Sequence, residues 1–261
     1  RTGYGGWSTS LFAHRDGTMS CLIGYIESSE SEMVTHVHRS SDGGRSWTDE
    51  GELHVGGRPL SSIPYTHPYS PLHRLSDGTV MMCAYEADNS RGQDNSQRRD
   101  RSLFLRSDDD GMTWEEPAYF DADNFDHNEC MVGEAGCGRL VAFMRTLREK
   151  YMWTSRSEDT GRTWSKLVQS DLSAECPWIL SHSSGALLLA SRGHGTYLQS
   201  SIDGGQTWGD TYRLSPAAAM IGMVEMGDGR VMIVMHEGYR IPGYIRGQFF
   251  RVATEGSIAI A

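Results

Sequence analysis

Two arginines of this sequence each end an otherwise apolar, strand-like run, from Leu140 to Arg145 and from Ala186 to Arg192. A charge at such a position either faces a binding site or is neutralised inside the protein, because an unpaired buried charge is costly. Guanidinium groups bind a carboxylate at two points, and each charge-assisted hydrogen bond contributes about 1.5–3 kcal/mol when it is shielded from water. We therefore predict that both arginines bind an anionic group. The alternative is that they bond backbone carbonyls or Glu129.

A repeated hairpin pattern gives these arginines a common register. Five times an apolar run reaches a turn glycine and a second apolar run follows it, at Gly17, Gly78, Gly138, Gly185 and Gly229. Residues equally far from such a turn lie side by side on antiparallel strands. Nine residues before and seven after each glycine, at the open end of the hairpin, the sequence predicts the pairs Ser8 and Gly24, Tyr69 and Tyr85, Glu129 and Arg145, Cys176 and Arg192, and Met220 and His236.

Tyr69 and Glu129 occupy the same register position in neighbouring hairpins. A phenol beside a carboxylate can be deprotonated as it attacks, so we predict Tyr69 as a nucleophile and Glu129 as its base. The alternative is a packing role for Tyr69, with its hydroxyl hydrogen-bonded. His67, His127 and His194 are expected close to these positions. Their spacings match no standard ligand set, so neither a metal nor another cofactor is predicted.

An eight-residue pattern, Ser-x-Asp-x-Gly-x-Thr/Ser-Trp, occurs four times, beginning at Ser40, Ser107, Ser157 and Ser201. Its Ser and Asp can bond nearby backbone N–H groups, its Gly suits a left-handed position, and its Trp can anchor the turn on a core. Repeats spaced by a few dozen residues predict an array of similar units. Together with the hairpins they predict a single all-β domain, 1–261, made of five units at about 3–52, 60–118, 124–169, 173–213 and 216–254.

The four boxes resemble those of the Asp-box (BNR-repeat) proteins, of which the sialidases are members. The resemblance implies a β-propeller of the sialidase type, with each box on the turn that joins the two outer strands of a blade. It also implies six blades, whereas five are discernible in the sequence. In such a propeller the first strand of each hairpin lines the axis, so the open ends of the hairpins would meet at one axial opening.

Two segments resemble sialidase site sequences. The run from His127 to Val132, taken with Arg145, is similar to the segment that carries a glutamate and the second arginine of an arginine triad. The run from Ser191 to Gly195 is similar to the segment that carries the third arginine. The resemblance implies that the two arginines hold a substrate carboxylate and that the glutamate polarises a tyrosine nucleophile.

Three positions depart from the sialidase pattern. Gly6-Trp7-Ser8-Thr9 stands where the first triad arginine is expected. The tyrosine of the family would fall near Met220, which leaves Tyr69 as a substitute within this sequence. The acid/base aspartate after the first hairpin is missing, and Glu27 is the nearest carboxylate.

Composition restricts the possible partners. A formal charge of −10 repels phosphate backbones, so nucleic acid is not a predicted partner. No apolar run reaches the roughly 18 residues of a membrane span. Five cysteines without Cys-x-x-Cys spacing predict buried free thiols. The family resemblance favours a secreted or periplasmic location.

The sequence thus predicts a glycoside hydrolase that acts on an acidic glycan, most concretely an exo-sialidase. The predicted substrate contacts are Arg145, Arg192, His194, Tyr85, His67 and His236, and the predicted catalytic residues are Glu129, Tyr69 and Glu27. One alternative is a non-hydrolytic propeller that binds acidic glycans, and another is a uronate-acting lyase with a His/Tyr base. A third is an interaction domain whose opening is vestigial.

Overall fold

The protein is described by a computed structural model. The structure describes residues 4–26, 33–87, 99–120, 126–172, 175–237, 243–253 and 255–261. Apart from one short 3₁₀ helix, Leu60–Ser62, the regular elements in these ranges are β-strands. The predicted all-β class is confirmed, and five antiparallel sheets follow one another along the chain.

The first two sheets carry the first two boxes on the turns between their outer strands. Sheet one has the order β1-β2-β3-β4, with β1 Tyr4–Ala13, β2 Met19–Ile26, β3 Met33–Ser40 and β4 Thr48–Glu52. A small ribbon follows, made of β5 His54–Val55 and β6 Arg58–Pro59. Sheet two has the order β11-β10-β9-β7, with β8 also on β9; its strands are β7 Thr66–Pro68, β8 His73–Arg74, β9 Val80–Ala87, β10 Asp100–Ser107 and β11 Ala118–Tyr119.

The remaining three sheets have four strands each, in chain order. Sheet three contains β12 His127–Glu134, β13 Leu140–Thr146, β14 Trp153–Ser157 and β15 Val168–Gln169. Sheet four contains β16 Glu175–Ser181, β17 Leu187–Arg192, β18 Thr196–Ser201 and β19 Tyr212–Ser215. Sheet five contains β20 Ala219–Glu225, β21 Val231–Glu237, β22 Tyr244–Val252 and β23 Ile258–Ile260. The fifth unit therefore extends beyond its predicted end at residue 254.

Each box forms the tight turn that its residue types predict. In the last box the Ser201 hydroxyl donates to Asp203 Oδ1 at 2.8 Å and accepts the Gly205 N–H at 2.8 Å. The Thr207 hydroxyl donates to Asp203 Oδ2 at 2.6 Å. These bonds, led by the Thr207 hydroxyl, lower the pKa of Asp203 to about 2. Gly205 has a φ of +78°, the left-handed conformation for which glycine is suited.

The box tryptophans differ in how deeply they are buried. Trp114 is 7% exposed and belongs to the core, whereas Trp47 is 38% exposed. The Trp208 ring lies edge-on to Phe143, with 5.6 Å between the ring centres. The prediction of an aromatic anchor on the core is therefore wrong for the first box, whose indole N–H instead bonds its own turn at Gly44 O, 3.0 Å away.

Two compact units, Arg1–Cys130 and Met131–Ala261, divide the chain. In the first unit the core joins sheets one and two through buried side chains such as Phe12, Leu22, Leu103, Leu105 and Trp114. In the second, sheets four and five pack through buried side chains such as Leu188, Leu198, Ile221, Ile233 and Phe250. Four of the five cysteines are buried free thiols, as predicted, and Cys137 is exposed. Within the described ranges, no helix has the length and apolar character needed to cross a membrane.

Candidate functional site

Arg145 and Arg192 lie at the ends of β13 and β17, and both guanidinium groups approach one carboxylate. The Nε atom of Arg192 is 3.4 Å from Glu175 Oε2, and the Nη2 atom of Arg145 is 3.8 Å from the same oxygen. The side chain of Arg192 is only 11% exposed and that of Arg145 only 22%, whereas that of Glu175 is 51% exposed. The structure thus brings the two arginines together, with a partly solvated carboxylate between them.

A β-bulge explains why Glu175 occupies this place. From Ser181↔Leu187 to Trp178↔Ala190 the strands β16 and β17 pair in the predicted register. Beyond that point the register shifts by one, so Arg192 pairs with Glu175. The pairing of Cys176 with Arg192 predicted from the hairpin is therefore wrong. Cys176 is buried and has a φ of +48°, and a residue in this conformation is common where one strand carries an extra residue.

Pro177 has no N–H group to donate to the β17 ladder, so regular pairing cannot continue through it. In sheet two, Pro68 pairs with Ala84, and His67 rather than Tyr69 lies opposite Tyr85. The predicted pairing of Tyr69 with Tyr85 is therefore also wrong.

Register shifts also occur where the first strand of the hairpin has no proline. Between β1 and β2 the register shifts so that Trp7 rather than Ser8 pairs with Gly24, and the predicted pairing of Ser8 with Gly24 is wrong.

Sheet five keeps the predicted register. There Met220 pairs with His236. The Nη1 atom of Arg192 lies 3.1 Å from Met220 Sδ, so this methionine contacts Arg192.

A cleft of about 940 Å³ opens beside the arginine pair, within the second unit. Its lining includes the predicted contact His194, which follows β17, and Tyr197 and Gln199 of β18. His236 is exposed and lies outside this lining, and its role as a substrate contact stays a prediction. Seven of the sixteen described lining residues carry a permanent charge: the cations Arg145, Arg148, Lys150 and Arg192, and the carboxylates Glu149, Asp171 and Glu175.

The residues predicted for catalysis belong to the first unit. Tyr69 and Tyr85 are both half-buried, and their ring centres lie 6.3 Å apart. Glu129 is half-buried and has a φ of +45°, between the buried residues Asn128 and Cys130. The proximity of Tyr69 to Glu129 stays a prediction. Glu27 lies outside the described residues.

His127 is a structural histidine. It is 3% exposed, and its Nδ1 atom accepts the Ser102 N–H at 3.1 Å. Burial is the main cause that lowers its pKa, to about 4, so the imidazole is neutral at physiological pH. In the described part of the chain, no group of three or more His, Cys, Asp and Glu residues could hold a metal ion.

Sequence reasoning missed Glu175, Arg148 and Lys150. For Glu175 the signal was present, because Pro177 makes the hairpin register unreliable on its N-terminal side. Arg148 and Lys150 lie in an irregular segment between β13 and β14, where no register rule applies.

Comparison with known proteins identifies a repeat family and a shared fold. The profile of the BNR repeat-like domain matches residues 3–175, and no curated protein sequence matches the chain. A protein of unknown function from Dyadobacter fermentans has a TM-score of 0.75 at 18% identity, covering 100% of this chain and 78% of its own. The Hadza microbial sialidase Hz136 has a TM-score of 0.68 at 17% identity, covering 89% of this chain and 50% of its own.

A second kind of glycosidase shares the fold. The α-L-arabinanase of Penicillium chrysogenum, complexed with arabinobiose, has a TM-score of 0.69 at 14% identity, covering 98% of this chain and 80% of its own. At these identities the likeness shows the fold, which is the predicted sialidase-type β-propeller with five blade-like sheets. This chain spans half the length of the sialidase chain.

Proposed function

The chain belongs to the BNR repeat-like domain family, and on that premise we propose that it is a glycoside hydrolase that holds a sugar carboxylate between Arg145 and Arg192. Sialidase and arabinanase structures with the same fold support a carbohydrate substrate. The arginine pair supports an acidic one. The most specific form of the proposal is an exo-sialidase.

The convergence of two guanidinium groups on one carboxylate carries this proposal. Two cations held in one place repel each other unless an anion lies between them, and here the anion is Glu175. At 3.4 and 3.8 Å these contacts are longer than the 2.7–2.9 Å typical of charge-assisted hydrogen bonds. A ligand carboxylate that approaches more closely would therefore bind the arginines better than Glu175 does.

Exposure favours an exchange between Glu175 and a ligand. The glutamate side chain is half exposed, so it can turn into water at modest cost. The arginines are held at the ends of buried strands. A preorganised pair of cations loses little conformational entropy on binding, so most of the interaction energy remains as affinity.

For the chemical step we propose Tyr69 as the nucleophile and Glu129 as the base that takes its proton. A tyrosine nucleophile is the recognised sialidase exception to the usual pair of carboxylates. Glu27 is the proposed acid that protonates the leaving oxygen. Tyr85 and His67 are proposed substrate contacts in the first unit, and His194 is one in the second.

Binding measurements by calorimetry test the acidic part of this proposal. We expect N-acetylneuraminic acid to bind at least about tenfold more tightly than its uncharged methyl ester, since one charge-assisted contact contributes at least 1.4 kcal/mol. Arg145→Ala should abolish the preference, and Arg192→Lys should weaken it, because an ammonium group cannot make the two-pronged contact. Arg251→Ala, an exposed arginine of β22 outside the cleft lining, is the matched control. Equal affinity for acid and ester in the wild type would refute the acidic site.

Turnover of a fluorogenic sialoside tests the hydrolytic part. Release of the fluorophore that depends on both arginines supports the exo-sialidase form. The second candidate is a non-hydrolytic acidic-glycan-binding propeller, and the sequence Gly6-Trp7-Ser8-Thr9 at the place of the first triad arginine favours it. Acid-selective binding without turnover would select that candidate. A uronate-acting lyase would instead produce an unsaturated uronate that absorbs in the ultraviolet.

A further inference from the structure

The cleft extends beyond the arginine pair to a second pair of cations. Arg148 and Lys150 line the same cleft as Arg145 and Arg192, and both are exposed. A volume of about 940 Å³ is near the upper end of the roughly 300–1,000 Å³ of small-molecule sites, so the cleft has room for more than one sugar unit. The arginine pair accounts for one anionic group only.

Hydrogen bonds fix the segment that carries the second cation pair. The Thr146 hydroxyl donates to Glu149 O at 3.2 Å, and the Glu149 N–H donates back to Thr146 Oγ1 at 3.1 Å. The Glu149 carboxylate accepts hydrogen bonds from Trp153 Nε1 and Gln169 Nε2, each at 2.7 Å. The turn from 146 to 150, which carries both cations, is therefore tied to β14 and β15.

The described lining of the cleft has a small excess of positive charge. Its four permanent cations and three carboxylates give a formal net charge of +1, on a chain whose net charge is −10. A local excess of positive charge of this kind attracts anions.

We infer that the cleft binds an acidic oligosaccharide with carboxylates on two sugar units, one at Arg145 and Arg192 and the other at Arg148 and Lys150. This inference rests on the proposed acidic-sugar site and specifies its substrate class. A single terminal acidic sugar fills only the first position. An oligomer fills both and gains a second set of charge-assisted contacts without a second loss of translational freedom.

Calorimetry with monomer and oligomer pairs tests the inference. The probes are N-acetylneuraminic acid with its α2,8-linked trimer, and galacturonic acid with tri-galacturonate. We expect at least one trimer to bind about tenfold or more tightly than its monomer at low salt, and to lose most of that advantage at 0.5 M NaCl through screening. The double variant Arg148→Gln/Lys150→Gln should reduce trimer affinity to that of the monomer and leave monomer affinity unchanged.

A matched control removes the same charge elsewhere. Lys166→Gln/Arg251→Gln neutralises two exposed cations of the second unit that do not line the cleft, and it should preserve the advantage of the trimer. Both double variants change exposed side chains, and equal melting temperatures confirm that they fold.

The outcomes separate the two proposals. A monomer that binds through Arg145 and Arg192 while its trimer binds no more tightly overturns the inference alone. An unchanged trimer affinity in the Arg148→Gln/Lys150→Gln variant does the same. Binding of neither monomer nor trimer overturns the acidic site as well.

Discussion

Removing the charge of Glu175 tests how the arginine pair works, because this carboxylate stands where we place the carboxylate of the ligand. In Glu175→Gln the two contacts at 3.4 and 3.8 Å lose their ionic character. Glu175 is half exposed, so a dielectric constant close to that of water is appropriate, and each pair contributes about 1 kcal/mol. A ligand that displaces the glutamate gives up both contacts. The variant should therefore bind N-acetylneuraminic acid more tightly by about 2 kcal/mol, or ~30-fold.

Calorimetry on a matched pair of variants decides the point. Asp171→Asn also removes one negative charge from the cleft lining, and in that variant we expect a change of about twofold, since long-range attraction to an exposed charge is screened. The methyl ester should bind Glu175→Gln and wild type equally. The reasoning is refuted if Glu175→Gln weakens the acid, or if both variants strengthen it equally.

Four further predictions concern the fold and the chemical step. Trp114→Ala should lower the free energy of unfolding, measured in urea, by about 3–5 kcal/mol, because Trp114 is 7% exposed. Trp47→Ala should lower it clearly less, because Trp47 is 38% exposed, and equal losses in the two variants would contradict this. Thr160→Gly should raise the free energy of unfolding by about 0.5–1 kcal/mol, because Thr160 is β-branched with a φ of +60°, and a loss would count against backbone strain at that turn. The pKa of Asp203 is lowered from 3.8 to about 2, so its contribution to stability is present above pH 4 and is lost as the pH falls to about 2. Between these pH values the melting temperature should decline less in Asp203→Asn than in the wild type, and an identical decline would contradict this assignment. Tyr69→Phe should abolish sialoside turnover with almost unchanged ligand affinity, and wild-type turnover would reduce Tyr69 to packing.

The sequence was sufficient to predict the sheets and their turns because the signals are local. Ser107, Asp109, Gly111 and Thr113 lie within seven residues, and each performs the hydrogen-bonding or backbone role that its type suggests. The fifth sheet shows the limit of this approach. It has no box, and its last strand follows a plain turn in which the Gly256 N–H bonds Ala253 O. The predicted unit therefore ended too early.

The candidate site was less predictable because it depends on register and on irregular backbone. One extra residue before Pro177 replaces a buried cysteine with a charged glutamate opposite Arg192. A one-residue shift changes which residue lies opposite a given position of the partner strand. Counting residues from the turn assumes a regular hairpin, so it cannot locate such a shift. The convergence of Arg145 and Arg192 was still anticipated, since β13 and β17 are regular between the turn and the arginine.

The measurement that tests the central claim most directly is a crystal structure of the protein soaked with N-acetylneuraminic acid. We expect the sugar carboxylate to lie within about 3 Å of guanidinium nitrogens of both Arg145 and Arg192, with the Glu175 side chain turned away from its present position between them. A sugar bound elsewhere, or a sugar in the cleft with Glu175 still between the arginines and no carboxylate contact to either, would contradict it.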